Sequence, residues 1–465
     1  MSTIRDLKVE TTPVSALKPY VNNARTHSKR QVRQIANSIT QWGWINPIIV
    51  DADNLILAGK GRWDAAQLLG IKTVPTIRIG KMTEAQKRAY IIADNKLALN
   101  AGWDSQLLAI EFNELVKIDP AFDPTLTGFD MGEIDVLIGE TNPEAIDKAD
   151  LLPKLDPSFP PVTQPGDLWR VGWHRLICTD AREARAFESL MVGEHAAMAF
   201  ADPPYNVRID GHASGLGASE PREFAMASGE MDEAEFIAFL KRCLGLTATH
   251  TREGAIHFVC MDWRHLYELL TAGRDVYHEL KNICVWAKTS AGMGSLYRSQ
   301  HECVAVFKKG SARHINNVEL GRQGRYRTNV WSYPGMNSFG AERSEALAMH
   351  PTVKPVALVK DAILDCSNRG DIVLDPFVGS GTTLVAAEMV GRRVFGIEID
   401  PQYVDVALRR FRTLTGVEPV HALTGLTFTE TEEARSQGQK NASKAAANGQ
   451  RRFRRRLSRL AGTRS

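Results

Sequence analysis

Short apolar runs recur between about residues 165 and 413, several ending in a carboxylate, a proline or a glycine before a helically spaced stretch begins. Ala196-Ala197-Met198-Ala199-Phe200 is one such run, stopped by Asp202-Pro203-Pro204-Tyr205. Ile372-Val373-Leu374 is another, followed by Asp375-Pro376-Phe377-Val378-Gly379-Ser380-Gly381 and a helical stretch from Thr382 to Val390. Arg393 to Ile397 reads as the next strand and ends at Glu398, while Leu168 to Asp180 reads as two short strands. Uninterrupted apolar strands alternating with helices predict an α/β fold with a doubly wound parallel sheet.

The first part of the chain patterns differently. A helix is expected over Ser28 to Trp42, then strands Pro47 to Val50 and Leu55 to Ala58, the turn Gly59-Lys60-Gly61-Arg62, a helix through Leu69 and a strand Val74 to Ile79. Helical spacing continues over Thr83 to Leu97 and Asp104 to Lys117. Six prolines between Asn142 and Pro165 mark a linker, and the tail from about Glu430, poor in apolar residues, is expected to be disordered or only locally helical.

Composition narrows the class. At 465 residues, 43% hydrophobic and 24% charged, the chain has material for two or three soluble domains, and no apolar run is long enough to span a bilayer. With no basic-then-apolar leader at Met1 to Glu10, a cytoplasmic location and no membrane partner are expected. Cys178, Cys243, Cys260, Cys284, Cys303 and Cys366 form no Cys-x-x-Cys pair, which predicts reduced thiols and no metal. The net charge of +3 conceals a basic tail with ten Lys or Arg and no acid after Glu433, so the preceding chain is net negative.

A strand ending at Leu374, the Gly379-Ser380-Gly381 turn and a helix opening at Thr382 bring backbone N–H groups toward a ligand, and Glu398 stands where an acid accepts ribose hydroxyls. The same pattern suits a dinucleotide or S-adenosylmethionine. The missing third glycine and the carboxylate Asp375, suited to an amino group, favour the second. Asp202-Pro203-Pro204-Tyr205 offers a carboxylate, a proline-fixed carbonyl and an aromatic face. Those groups can accept both hydrogens of an exocyclic amine and stack on its ring, leaving the nitrogen lone pair free for direct displacement. A base inside a duplex reaches such a pocket only by flipping out.

At these residues the chain resembles the β-group of DNA adenine-N6 and cytosine-N4 methyltransferases, over roughly Pro165 to Thr413. The resemblance implies a Rossmann-like S-adenosylmethionine-dependent methyltransferase sheet with Asp202, Pro203, Pro204 and Tyr205 catalytic. It implies a cofactor site of Asp180, His350, Thr352, Lys354, Asp375, Phe377, Gly379, Gly381, Thr382 and Glu398. Thr179 stands where the family usually has Gly, and Asp rather than Ser at 202 favours adenine over cytosine. The family's target-reading region falls at about 308–349, where Arg322, Arg325, Arg327 and Asn329 are the candidate DNA contacts.

Residues 13 to 80 resemble the ParB and sulfiredoxin-like fold through Gly43 to Val50 and Leu57-Ala58-Gly59-Lys60-Gly61-Arg62, with Lys60 and Arg62 placed for phosphate. The absence of cysteine before Cys178 excludes redox chemistry there, and a DNA-docking accessory is the expected role. The expected division is a smaller α/β ParB-like domain at 1–100, a helical extension at 101–140, a linker at 141–165, the methyltransferase domain at 166–415 and a basic tail at 430–465. Double-stranded DNA is the expected partner, with a homodimer and a cognate restriction nuclease added by analogy. Such fusions look like mobile-element or phage modification enzymes. Rival readings are cytosine-N4 methylation, methylation of a protein glutamine amide, and a ParB-like DNA-binding protein with a silent methyltransferase domain.

Overall fold

The computed structural model describes residues 7–119, 122–139, 149–153, 160–207, 226–291, 296–318, 321, 325–335 and 353–437. Two compact units divide at residues 141 and 142.

The first unit holds a four-stranded sheet in the order β1-β4-β2-β3, from β1 (Val9–Pro13), β2 (Ile48–Val50), β3 (Ile56–Ala58) and β4 (Thr73–Arg78). The helices Lys29–Trp42 and Lys60–Leu68 fall where the apolar spacing places them, and β1 is an addition to that reading. Ser28 caps the first helix by accepting from the Gln31 N–H, and Thr83 with Gln86 forms a capping box on the helix Glu84–Ala98. Val14, Leu17, Ile48, Val50, Ile56, Ala66 and Val74 make the core. The helices Ser105–Ile118 and Met131–Gly139 complete the unit.

The second unit is built on ten strands: β5 (Leu168–Val171), β6 (His174–Cys178), β7 (Ala196–Ala201), β8 (Thr251–Met261), β9 (Glu279–Ala287), β10 (His301–Lys308), β11 (Val330–Ser332), β12 (Ile372–Asp375), β13 (Arg393–Glu398) and β14 (Val420–His421). Their order is β11-β9-β10-β8-β7-β12-β13-β6-β5-β14. The run β8-β7-β12-β13-β6 is parallel, as expected. Both wings depart from an all-parallel sheet, because β10 runs antiparallel to β8 and β9, and β5 to β6 and β14. The cause at β5 and β6 is a two-residue turn at Gly172 and Trp173, too short for a parallel crossover.

Alternate residues of the central strands feed separate cores on the two faces, which is why β7 and β12 read as unbroken apolar runs. Met198, Phe200, Val373 and Val394 join the cluster under the helices Val356–Cys366, Thr382–Met389 and Pro401–Thr415. Ala199, Ala201, Leu374 and Ile397 join the one under Ala184–Met191, Glu233–Thr249 and Leu266–Val276.

Ala149 and Val162, inside the expected linker, are 2% and 6% exposed in the core of this unit. Residues 428–437, which reach into the expected tail, are helical, with Arg435 donating to the Val162 carbonyl and to Asp167 at 2.6 Å and Arg409 donating to Glu432 at 2.6 Å. The basic run beyond 437 lies outside the described residues. No described helix is long and apolar enough to cross a membrane.

Candidate active site

The carboxyl ends of β6, β7, β12 and β13 lie along one edge of the parallel run, where open α/β sheets bind ligands. Asp202 follows the last residue of β7, and Pro203 and Pro204 end the strand there. Tyr205 donates its hydroxyl to Asp202 Oδ1 at 2.7 Å. Asn206, at φ +55, secures the turn by accepting from the Gly229 N–H and donating to the Met231 carbonyl.

Lys354 enters this cluster from the segment before the helix Val356–Cys366. Its Nζ donates to Asp202 Oδ2 at 2.6 Å and to the Tyr205 hydroxyl at 3.0 Å, and stands 3.1 Å from Glu302 Oε2. Glu302, near the start of β10, takes Lys288 on its other oxygen at 2.5 Å. Trp286 lies within 4.7 Å of the Lys288 ammonium and 6.0 Å of the Lys354 ammonium, measured to its ring centre. Burial raises the Asp202 carboxyl, Glu302 adds to the rise, and Lys354 opposes it. Burial would raise Glu302 too, but Lys354 and Lys288 overcome it and hold it down to about 2. Burial disfavours the Lys354 charge, yet Asp202 and Glu302 together push its pKa up.

Lys354, expected near the methionine end of the cofactor, is held on the Asp202 carboxylate, because the two acids there outweigh its desolvation. Glu302, Lys288 and Asn206 have no role in the sequence reading. Their one signal is a charge or amide beside the end of a buried strand or turn, as in His301-Glu302 ahead of the apolar Cys303 to Phe307.

On the neighbouring strands, Glu398 accepts from the Gly379 N–H at 2.8 Å and from the Asp400 N–H at 2.8 Å. Asp375 accepts from the Phe377 N–H at 2.9 Å and from the Thr383 side chain. Burial pushes both carboxyls to about 7. Gly379 has φ +54 and open space where a side chain would stand, whereas at Gly381, φ +84, an added Cβ would come 2.8 Å from Ala407 Cβ. The first glycine therefore leaves room for a ligand and the second lets two helices approach. Two buried carboxyls, free acceptor lone pairs and an open face at Gly379 fit a ligand carrying hydroxyls and an amino group.

The remaining candidates divide. Phe377 packs at the edge of the apolar core, its ring 6.3 Å from that of Phe239. Asp180 is held by Arg182 in a paired contact, the closest at 2.6 Å. The Thr382 hydroxyl accepts from buried Arg410 at 3.1 Å, which leaves its backbone N–H facing the helix mouth. His350, Thr352 and Arg322 lie outside the described residues.

Four of the expected DNA contacts are engaged within the protein instead. Arg325 and Arg327 grip Asp365 at 2.6 and 3.1 Å, Arg327 also donates to the Tyr333 hydroxyl at 2.8 Å, and both are shielded by the helix Val356–Cys366. Buried carboxylates on that helix demand these cations, which removes them from a duplex surface. Arg62 donates to the Pro47 carbonyl at 3.3 Å, and Lys60 pairs with Asp64 at 2.7 Å. Asn329 remains exposed.

Three parts of the chain match known families. Residues 196–409 match a family model described as DNA methylase, residues 2–96 one described as ParB N-terminal domain, and residues 106–165 one described as ParB-methyltransferase HTH domain. The chain is 29% identical over 239 residues to the type II methyltransferase M2.DpnII of Streptococcus pneumoniae, covering 48% of this chain and 85% of that one. It is 45% identical over 82 residues to the ParB-like nuclease domain-containing protein YnaK of Escherichia coli K12, covering 18% of this chain and 94% of that one. Among solved structures, PvuII DNA methyltransferase, described as cytosine-N4-specific, is similar over 59% of this chain and 94% of its own, with a TM-score of 0.40 and 15% identity.

Proposed function

Because residues 196–409 match the DNA methylase family model and ParB-type models match the chain ahead of them, we propose that it transfers a methyl group from S-adenosylmethionine to the exocyclic N6 of adenine in duplex DNA. The observation that carries this reading is the placement of Asp202 and Tyr205 at the end of β7, beside β12, whose own end leads into Asp375 and the open face at Gly379. A carboxylate able to hold an amine and a site able to hold a nucleoside thus face the same edge. Asp at 202 favours adenine, since the family uses Ser there more often for cytosine.

When bound, S-adenosylmethionine supplies a methyl carbon activated by the sulfonium. Asp375, Glu398, the space before Gly379, Phe377 and the N–H groups at Gly381 and Thr382 would hold it. Asp180 would meet its adenine end. The work of the chain's own residues is positional and electrostatic. Asp202 and the Pro203 carbonyl accept the two hydrogens of the amine, localising the lone pair that ring conjugation withdraws. Tyr205 presents an aromatic face to the flipped base.

In the described state Lys354 occupies Asp202 Oδ2. The amine must therefore displace it, and Glu302, 3.1 Å away, is the acceptor that receives the ammonium. As the new C–N bond replaces the methyl carbon's bond to sulfur, whose electron pair stays with the departing thioether, the nitrogen gains positive charge and releases its surplus proton to Asp202 and onward to solvent. The raised Asp202 carboxyl suits that transfer.

The N-terminal unit acts as a DNA-docking accessory, with Asn329 and the basic tail as further contacts in the complex. Expressing the full chain in cells lacking adenine methylation, then digesting their DNA, should yield N6-methyladenine that disappears with Asp202→Ala. N4-methylcytosine instead would keep the chemistry and change the base. Neither base appearing, with the protein folded, would sink the reading.

A further inference from the structure

Arg410 lies 3% exposed on the helix Pro401–Thr415, directly behind the glycine turn. Its guanidinium donates to the Ala149 carbonyl through Nε at 3.1 Å and Nη2 at 2.7 Å. Through Nη1 it donates to the Ser380 carbonyl at 3.2 Å and the Thr382 hydroxyl at 3.1 Å. A cation so deeply buried is tolerated only while its donors are used, so Ala149 and the turn hold it jointly.

The next residue acts on the other half of the site. Asp150, 7% exposed, accepts from the Val356 N–H at 2.9 Å. The helix Val356–Cys366 opens after Pro355 with no side-chain cap of its own, so Asp150 supplies one from a distant part of the sequence. Lys354, which sits on Asp202, is two residues before that N–H. The same chain segment is stapled again at its far end, where Asp405 accepts from the Val162 N–H at 2.6 Å and the Thr163 N–H at 2.9 Å.

Resting on the methyl-transfer reading above, we infer that Arg410 and Asp150 are positioning residues, through which the strap at Ala149–Asp150 fixes both the glycine turn and the approach of Lys354 to Asp202. The strap belongs to the stretch matched as ParB-methyltransferase HTH domain, yet it packs within the second unit. Chain lying before the methylase match is thereby part of the frame of the cofactor site. Neither Arg410 nor Asp150 touches the cofactor in this account, so their effect is on binding geometry and not on the displacement itself.

The test uses the full chain, with S-adenosylmethionine affinity read by calorimetry, kcat and KM for methyl transfer, and thermal melting of each variant. Arg410→Lys keeps the charge but cannot bridge both partners, and Asp150→Ala removes the cap. Each should weaken S-adenosylmethionine binding at least tenfold, and Asp150→Ala, which also loosens Lys354 at Asp202, should raise the KM for DNA as well, while kcat at saturating cofactor and DNA stays within about threefold. Asp150→Asn keeps an oxygen acceptor and should restore affinity, and Asp405→Asn, which loosens only the far staple, should leave it within twofold. The inference is overturned if Arg410→Lys and Asp150→Ala bind like the parent. It is equally overturned if all four variants lose affinity in step with their melting temperatures, since that marks a general loss of packing. A parent chain that binds no S-adenosylmethionine would instead bring down the methyl-transfer reading, and this inference with it.

Discussion

Gly379 and Gly381 are two residues apart and do unlike work, which a pair of alanine substitutions separates. At Gly379 the strain of φ +54 costs about 1 kcal/mol, and the new methyl projects into open space. Melting should fall little while S-adenosylmethionine affinity drops at least tenfold. At Gly381 the same change meets Ala407 and should cost roughly 2–4 kcal/mol of stability, read by denaturant unfolding. Equal stability losses at both sites would contradict the division. The buried acids give a pH signature as well. Asp375 and Glu398 are raised to about 7 in the fold, from usual values of 3.8 and 4.5. The stability they contribute is therefore complete below the unfolded-state values and lost as pH rises through about 7. The ligand-free protein should melt at lower temperature at pH 7.5 than at pH 5.5, and Glu398→Gln should flatten that slope. Cofactor binding, which favours the ionised acids, should tighten over the same interval and release protons, measurable by calorimetry in buffers of differing ionisation enthalpy. The motif residues were readable because strand-ending prolines and turn glycines act locally. Glu302 and Lys288 were not, because their pairing with Lys354 spans separate strands.

Elements repeat that contrast. The helices Lys29–Trp42 and Lys60–Leu68, and the strands β7, β12 and β13, fall close to where apolar spacing and turn residues place them. The antiparallel wings did not announce themselves, because an apolar run such as that of β10 reads the same in either direction. The ion pairing of the arginines before β11 was hidden for a related reason. Basic residues between two motifs look like a DNA surface until the acids of the helix Val356–Cys366 are placed beside them. Arg327→Ala should leave Asp365, 9% exposed, without one of its two cations, and lower stability by about 3–5 kcal/mol. Chemical denaturation would measure that loss. A stable variant with relaxed sequence preference would restore the arginine to the DNA interface.

At the scale of the whole molecule, the two units were legible as a change in hydrophobic rhythm and a proline-rich interval. What sequence pattern did not expose is that Ala149 and Val162, within that interval, belong to the second core and that residues 428–437 form a helix. Apolar residues scattered among prolines carry no period, so only their burial identifies them. The account stands on one claim: the edge bearing Asp202 and the edge bearing Gly379 form a single site that methylates an amino group of DNA. Its most direct test is transfer of labelled methyl from S-adenosylmethionine to unmethylated duplex DNA by the purified full chain, with the nucleosides separated and Asp202→Ala run beside it. Label in N6-methyladenine that falls at least a hundredfold in the variant, with cofactor affinity retained, is the predicted result. Cofactor binding with no label in any base of the DNA would contradict it.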